Sequence, residues 1–170
     1  LRSTTTATQS AEWGRVGTWE VNRDYHPNGY RDVTEFLHER GIKFQLWFEP
    51  ERLQRSVCEW TEYITANPED ENALVDLGSD HVCDQVIEKI SSVIACVGVD
   101  CYRQDFNINP LIIWRANDLA LEAGGAARRG ATEVHHINNL WRFWDALLER
   151  FPHLLIDDCA GGGHRIDIEM

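Results

Sequence analysis

The sequence has 170 residues, of which 43% are hydrophobic and seven are Trp, so we expect one folded domain rather than a disordered chain. The formal net charge of −12 argues against binding to nucleic-acid backbones or anionic membranes, because both require basic patches. No run of 18 apolar residues is present, which excludes a predicted membrane-spanning helix.

The five cysteines are Cys58, Cys83, Cys96, Cys101 and Cys159. No pair has CxxC spacing, which disfavours a zinc or iron–sulfur site. We expect no cofactor. An odd number of dispersed thiols predicts reduced cysteines and a cytoplasmic location. Residues 1–10 lack the apolar segment of a signal peptide. Because the chain begins with Leu rather than Met, we expect its natural N-terminus to lie upstream.

The first predicted element is a helix over 29–40, where apolar residues recur every three or four positions and Gly41 follows as a helix-ending glycine. An apolar run predicts a strand at 43–48. A second helix is predicted over 53–66, with Pro68 marking its end.

The middle of the chain predicts a strand, a helix and another strand. Residues 73–77 form a short apolar run typical of a buried strand. Valines and isoleucines at helical spacing predict a helix over 80–97, and residues 99–106 predict the next strand.

The last part predicts an irregular region, a helix and a strand. Residues 108–133 are expected to be irregular because they contain several glycines. One continuous apolar face predicts a helix over 136–150, and residues 154–156 predict a strand. His135 and His136 have no third ligand nearby, so they predict a solvated pair rather than a metal site.

The alternation of strands and helices predicts a parallel α/β sheet, with its strands buried on both faces. Acidic residues follow every predicted strand: Glu49, Glu51, Asp76, Asp105, Asp157 and Asp158. The carboxyl ends of parallel strands build the active site in a barrel and in an open sheet alike. Four strands cannot close a barrel, so we expect a truncated (β/α)8 TIM barrel, roughly strands two to five, as one partial catalytic domain over 1–170.

Two strand ends carry candidate chemistry, each with a structural alternative. Trp47 could stack on a sugar ring, or it could be a core residue before a helix start. Arg103 and Asp105 share one side of their strand by alternation. The Arg would keep the Asp ionised as a nucleophile, or the two could form only a structural ion pair.

A glycine run at 161–163 follows the last predicted strand. Glycines allow a ligand to approach the backbone closely, although a plain turn explains them equally well. A phosphate loop is disfavoured because the sequence lacks both GK(S/T) and GxGxxG. The preceding Asp157 and Asp158 would also repel phosphate.

Three ordered blocks resemble glycoside hydrolase family 36, the melibiase family. HPNG at 26–29 with GIKFQLWFEPE at 41–51 is similar to the family's FPxGL…GMKFGLWFEPE block. DCYRQDFN at 100–107 is similar to DYIKWDMN, and DCAGGGHRID at 158–167 is similar to ESCASGGGRFD. The resemblance covers roughly residues 13–170 and implies a (β/α)8 barrel.

The resemblance also implies residue roles, with Asp105 as the nucleophile of a retaining α-galactosidase-like hydrolase that needs no metal. The implied substrate is a galactose-containing oligosaccharide. The residues implied to bind it are Trp47, Arg103, Asn107, Cys159 and Gly161. The same scaffold would also fit an α-N-acetylgalactosaminidase, a galactosyl transferase or a non-catalytic carbohydrate-binding remnant.

Several positions depart from the family pattern. Arg103 replaces the usual Lys, and Asp158 replaces the usual Ser. An acidic pair near the end of the family's first strand has no equivalent, and SAEW at 10–13 is the nearest candidate. The family's sugar-binding Arg is not identifiable within 60–72. Its acid/base Asp is expected after Met170, so this fragment is expected to be weak or inactive, because a retaining glycosidase needs both carboxylates. The exposed edges of a half-barrel predict poor folding, with either self-association as a homo-oligomer or a partly folded, aggregating state.

Overall fold

The computed structural model describes residues 16–56, 62–122 and 127–165, so the SAEW segment and Cys58 lie outside the described residues. The described part contains four helices and six strands. In chain order these are α1 (Arg31–His38), β1 (Gln45–Phe48), β2 (Arg52–Gln54), β3 (Tyr63–Ile64), β4 (Asn72–Val75), α2 (Asp80–Val97), β5 (Cys101–Gln104), α3 (Leu111–Glu122), α4 (Ala131–Arg150) and β6 (Leu155–Asp158).

A parallel three-stranded sheet with the order β1-β5-β6 organises the molecule. The register places Trp47 beside Arg103, and Arg103 beside Asp157, so these three residues form one row across the sheet. Helix α2 lies in the connection from β1 to β5, and α3 and α4 lie in the connection from β5 to β6. The parallel α/β arrangement predicted from the sequence is therefore observed.

The predicted helix over 53–66 is wrong, because its described residues contribute to a second, antiparallel sheet with the order β2-β4-β3. Leu53 is fully buried and pairs with Ala73 of β4, so pairing with a distant strand overrides a weak helical pattern. The strand predicted at 73–77 exists as β4, but it pairs antiparallel with its neighbours. Within the described residues the parallel sheet has three strands, not the expected four.

The predictions for residues 108–133 and for the helix over 136–150 also need correction. Residues 111–122 form α3 within the region that was expected to be irregular, and α4 begins at Ala131, five positions before the predicted start. The Asp118 carboxylate of α3 accepts the backbone N–H groups of Gly130 and Thr132 and thereby caps α4. A cap from another helix leaves no local sequence signal. No helix in the described ranges combines the length and apolarity required to cross a bilayer.

The hydrophobic core lies on one face of the parallel sheet. Leu46, Phe48 and Tyr102 are fully buried on that face, and Phe48 and Tyr102 stack with ring centroids 5.1 Å apart. The opposite face carries alternating half-exposed residues, including Trp47 and Arg103. The expectation of strands buried on both faces is therefore wrong for this structure, because every second residue of β5 is partly exposed.

Candidate active site

Asp105 lies immediately after β5, at the carboxyl end of the central strand of the parallel sheet. Its backbone N–H donates to the carbonyl of Phe48 at 2.9 Å, which fixes the end of β5 beside the end of β1. Trp47 and Phe106 both donate hydrogen bonds to its carboxylate. Oδ2 accepts from Nε1 of Trp47 at 3.3 Å, and Oδ1 accepts from the backbone N–H of Phe106 at 2.8 Å.

The Asp105 carboxylate is held in its ionised form. Partial burial raises its pKa, but hydrogen bonds from the Asn107 side chain, the Phe106 backbone, Trp47 and Cys159 outweigh that effect and lower the pKa below its usual value. At neutral pH the site therefore presents a partly buried carboxylate anion with its orientation fixed, which suits a nucleophile better than a proton donor.

Arg103 forms its ion pair with Asp157 rather than with Asp105. Nη1 of Arg103 lies 2.6 Å from Oδ2 of Asp157, and Nε2 of Gln45 donates to the same oxygen at 3.0 Å. The hydrogen bond with Asp157 raises the pKa of Arg103, and the charge of Asp105 adds to this effect. The half-exposed face of the sheet thus carries a fixed cation near the nucleophile candidate.

The glycine loop, defined as residues 159–165, lies beside this face. It is joined to β5 by the N–H of Cys159, which donates to the carbonyl of Gln104 at 2.9 Å. Gly161, Gly162 and Gly163 all have positive φ, a conformation that residues with a Cβ rarely adopt. A Cβ on Gly161 would lie 4.0 Å from the Phe106 carbonyl oxygen, so the loop lies beside the residue that follows Asp105.

The structure brings the predicted site residues together. Trp47 hydrogen bonds to Asp105, and the Asn107 and Cys159 side chains are close enough to lower the pKa of Asp105. Arg103 lies on the same face in register with Trp47, and Gly161 lies against the residue that follows Asp105.

Four of the acidic residues that were expected to converge here do not lie on the half-exposed face. Glu49 is buried and accepts two hydrogen bonds from the Arg52 guanidinium, at 2.8 and 2.7 Å. Glu51 and Asp158 lie on the buried side of the sheet. Asp76 follows β4 of the antiparallel sheet rather than a parallel strand. Only Asp105 and Asp157 remain on the half-exposed face.

A buried polar cluster behind the site was missed in the sequence. His136 is only 1% exposed, so the prediction of a solvated histidine is wrong, and its Nε2 lies 2.7 Å from Oε2 of Glu51. Its spacing of four from Leu140 on the buried face of α4 could have indicated this. In the described parts of the chain, no group of three or more His, Cys, Asp or Glu residues could hold a metal ion.

The chemistry of this face fits a polyhydroxylated ligand. It offers an ionised carboxylate, a guanidinium, the Asn107 amide and the half-exposed Trp47 ring within a small area. Carboxylates and guanidinium groups hydrogen bond to hydroxyls, and indole rings contact the apolar faces of sugars.

Comparison with known proteins identifies similar sequences. A family model described as Melibiase matches residues 7–170. The alpha-galactosidase AgaA of Geobacillus stearothermophilus is 33% identical over 91% of this chain, and the alpha-galactosidase Mel36A of Lactobacillus acidophilus is 26% identical over 90% of it. These alignments cover 22% and 21% of the two relatives, so the chain spans about a fifth of their length.

Solved structures agree with the sequence comparison. A variant of the Geobacillus AgaA in complex with 1-deoxygalactonojirimycin superposes with a TM-score of 0.74 at 29% identity, over 91% of this chain and 22% of that one. Another variant of the same enzyme, in complex with stachyose, gives 0.73 at 27% identity, over 90% of this chain and 22% of that one.

Proposed function

Because the chain belongs to the melibiase family, we propose that it provides the nucleophile side of a retaining α-galactosidase active site, with Asp105 as the nucleophile. The observation that carries this proposal is the Asp105 carboxylate itself. It lies at the carboxyl end of a central parallel strand, both of its oxygens accept hydrogen bonds, and its pKa is lowered.

In the proposed reaction, an oxygen of Asp105 donates an electron pair to the anomeric carbon of a terminal α-galactosyl residue. The bond from that carbon to the leaving-group oxygen breaks, and a covalent glycosyl-enzyme forms. Water then attacks the same carbon and releases galactose and the free carboxylate. The hydrogen bonds from Trp47 and Phe106 orient the carboxylate for the first step, and they stabilise the carboxylate that is released in the second.

Substrate recognition is proposed for the remaining residues of this face. Arg103, oriented by Asp157, would donate to sugar hydroxyls, as would the Asn107 amide. Trp47 would form one wall of the sugar pocket, while Cys159 and Gly161 would border it from the glycine loop. Relatives are named alpha-galactosidases, and structures of the Geobacillus enzyme contain stachyose and raffinose, which makes galactose-containing oligosaccharides the first substrates to test.

A retaining glycosidase requires a second carboxylate about 5 Å from the first to protonate the leaving group. Asp157, on the same face, is bound to Arg103 and Gln45 and is poorly suited to donate a proton. The family resemblance implies an acid/base Asp on a strand that follows the glycine loop. We therefore assign only the nucleophile half of the site to these residues.

The proposed fold is part of a (β/α)8 barrel whose inner wall is the half-exposed face of β1, β5 and β6. Within the described ranges, β1 and β6 each pair with a strand on one side only, which leaves room for further strands. The same open edges support self-association of this chain as a homo-oligomer.

The nucleophile can be tested with a 5-fluoro-α-galactosyl fluoride. Fluoride leaves without protonation, so trapping of the glycosyl-enzyme does not require the acid/base carboxylate. We expect a single adduct by intact mass, mapped to Asp105, and none with Asp105→Asn. A glucose-configured reagent is the control for sugar selectivity. Labelling of another residue would overturn the assignment, and binding of 1-deoxygalactonojirimycin without any adduct would indicate a carbohydrate-binding module instead.

A further inference from the structure

Glu51 lies at the centre of a buried polar cluster on the side of the sheet opposite the proposed pocket. Its side chain is fully buried, and both of its carboxylate oxygens accept hydrogen bonds. Oε1 accepts from Nε2 of Gln104 at 2.7 Å and from Nη2 of Arg165 at 2.6 Å. Oε2 lies 2.7 Å from Nε2 of His136. One carboxylate therefore connects β5, α4 and the end of the glycine loop.

The contacts of Glu51 and Arg165 hold the two residues that flank Asp105, Gln104 and Phe106. Gln104 precedes Asp105 and is bonded directly to Glu51. Phe106 follows Asp105, and the Arg165 guanidinium lies over its ring, 4.7 Å from the centroid. The N–H of Phe106 is also a donor to the Asp105 carboxylate. Any shift of Arg165 would therefore be transmitted to a hydrogen-bond donor of the nucleophile.

The cluster stays charged despite its burial. Burial raises the pKa of Glu51, but Arg165 and His136 outweigh it and hold the pKa below the usual value. An ionised Glu51 pairs with Arg165, whose side chain is itself almost entirely buried. Arg165 also lies 3.7 Å from Asp158, and Glu51 also pairs with His136, so the two residues belong to one buried charged network. Removing either member would disrupt that network, so the pair fixes the loop firmly.

We propose that Glu51 and Arg165 are positioning residues that anchor the glycine loop against residues 104–106. Neither side chain reaches the half-exposed face, so neither touches the sugar in the proposed complex. Their effect on chemistry acts through the glycine loop and through Phe106. The anchoring itself rests on the observed contacts, while its catalytic consequence rests on the proposed function.

A purely structural role predicts a different result from a positioning role. If the cluster only stabilises the fold, its loss should lower the free energy of unfolding and leave the folded loop unchanged. If it anchors the loop, its loss should loosen the amides of Cys159, Gly163 and His164, which donate to backbone carbonyls within or beside the loop. Amide exchange of the folded protein separates the two cases.

The test compares Glu51→Gln with the control Asp118→Asn in the full chain. Asp118 is also a buried carboxylate that accepts several hydrogen bonds, but it caps α4, away from the loop. We expect exchange of the three loop amides to accelerate about tenfold or more in Glu51→Gln, as for a lost charge-assisted hydrogen bond. In Asp118→Asn these amides should keep wild-type rates, whereas amides at the start of α4 should accelerate.

A second pair of variants keeps the test decisive if Glu51→Gln does not fold. Arg165→Lys retains the positive charge, so its loop amides should exchange more slowly than those of Arg165→Met. The rate of adduct formation at Asp105 should follow the same order. Equal loop exchange in wild type, Glu51→Gln and both Arg165 variants would overturn the anchoring. Absence of any adduct in wild type would instead count against the proposed function, and the exchange result would still decide the anchoring.

Discussion

The indole N–H of Trp47 lies 3.3 Å from Oδ2 of Asp105, although the two residues are 58 positions apart in the chain. The contact joins the carboxyl ends of β1 and β5. A hydrogen bond to a charged group contributes about 1.5–3 kcal/mol, and a donor such as this one favours the ionised carboxylate over the protonated form. Trp47 is therefore assigned two tasks in the proposed site, orienting the nucleophile through its N–H and lining the pocket with its ring.

Replacing Trp47 with Phe should slow labelling of Asp105 by about tenfold, because the ring remains while the donor is lost. Loss of the donor raises the Asp105 pKa, so the carboxylate becomes protonated at a higher pH and the acid limb of the pH–rate profile shifts upward. Labelling rates measured across pH would show this. Trp141→Phe, on the exposed side of α4, is the control and should leave the profile unchanged. An identical profile for both variants would remove Trp47 from the site.

Gly162→Ala should lower stability and disturb the proposed site, whereas Gly130→Ala should lower stability alone. The two glycines have φ angles of 88° and 85°, and a Cβ on either would meet no atom within 4 Å. Each substitution therefore costs about 1–2 kcal/mol of backbone strain. Urea unfolding should give similar losses, while adduct formation should slow only in Gly162→Ala. Equal labelling rates would mean that the loop does not contact the sugar.

Asp158→Asn should make the protein more stable at pH 8. Burial and the nearby charge of Glu51 raise the Asp158 pKa to about 6 from its usual 3.8, against the opposing effect of Arg165. Between pH 3.8 and about pH 6, Asp158 is protonated in the folded protein but ionised in the unfolded chain. The free energy of unfolding therefore falls as the pH rises through this range. Asn does not titrate, so the variant avoids this loss. Its free energy of unfolding should exceed that of wild type by a large amount at pH 8 and by a smaller amount near pH 4.5.

Urea unfolding at the two pH values would measure this difference. Asp100→Asn supplies a control of opposite sign. Burial raises the Asp100 pKa, but the Phe44 N–H, His38 and Lys43 lower it overall, so the ionised form stabilises the fold. That variant should be less stable than wild type at pH 8, with a smaller difference at low pH. A pH-independent effect of Asp158→Asn would show that the carboxyl does not titrate in this range.

Asp157→Asn should weaken sugar binding with little change in stability. The ion pair between Arg103 and Asp157 is partly exposed, so its loss should change the free energy of unfolding by less than about 1 kcal/mol. Arg103 would lose its fixed orientation, and the Kd for 1-deoxygalactonojirimycin should rise about tenfold. Glu88→Gln breaks the exposed pair with Arg150 and should leave the Kd unchanged. Calorimetric titration would compare the two variants.

The parts of the fold that follow local rules could be predicted from the sequence. The spacing of apolar residues identifies α2 as a helix, and short apolar runs identify β1 and β5 as strands. Gly98 ends α2 in a left-handed conformation, as helix-ending glycines do. The antiparallel sheet could not be predicted, because three strands of two to four residues are too short for a periodic signal. Their existence depends on pairing between residues about 20 positions apart.

The proximity of the candidate residues was predictable, because the carboxyl ends of neighbouring parallel strands lie at one edge of the sheet. The partners of those residues were not. Alternation puts Arg103 and Asp105 on one side of β5, but the choice of Asp157 as the ion-pair partner depends on the register between β5 and β6. The burial of His136 likewise depends on Glu51, which lies 85 positions earlier in the chain.

The central position of β5 has a consequence for the order of folding. Its neighbours in the sheet lie about 55 residues before and after it in the chain, and the contacts of Glu51 with Arg165 and of Gln45 with Asp157 span 114 and 112 positions. Contacts of such long range form slowly, because a large loop must close before they contribute. During synthesis the Asp105 carboxylate would therefore exist without Asp157, the glycine loop or Arg165 until β6 has emerged. Nascent chains that stop before β6 would hold Asp105 with its donors Trp47 and Phe106, but without the Asp157 partner of Arg103 and without the glycine loop.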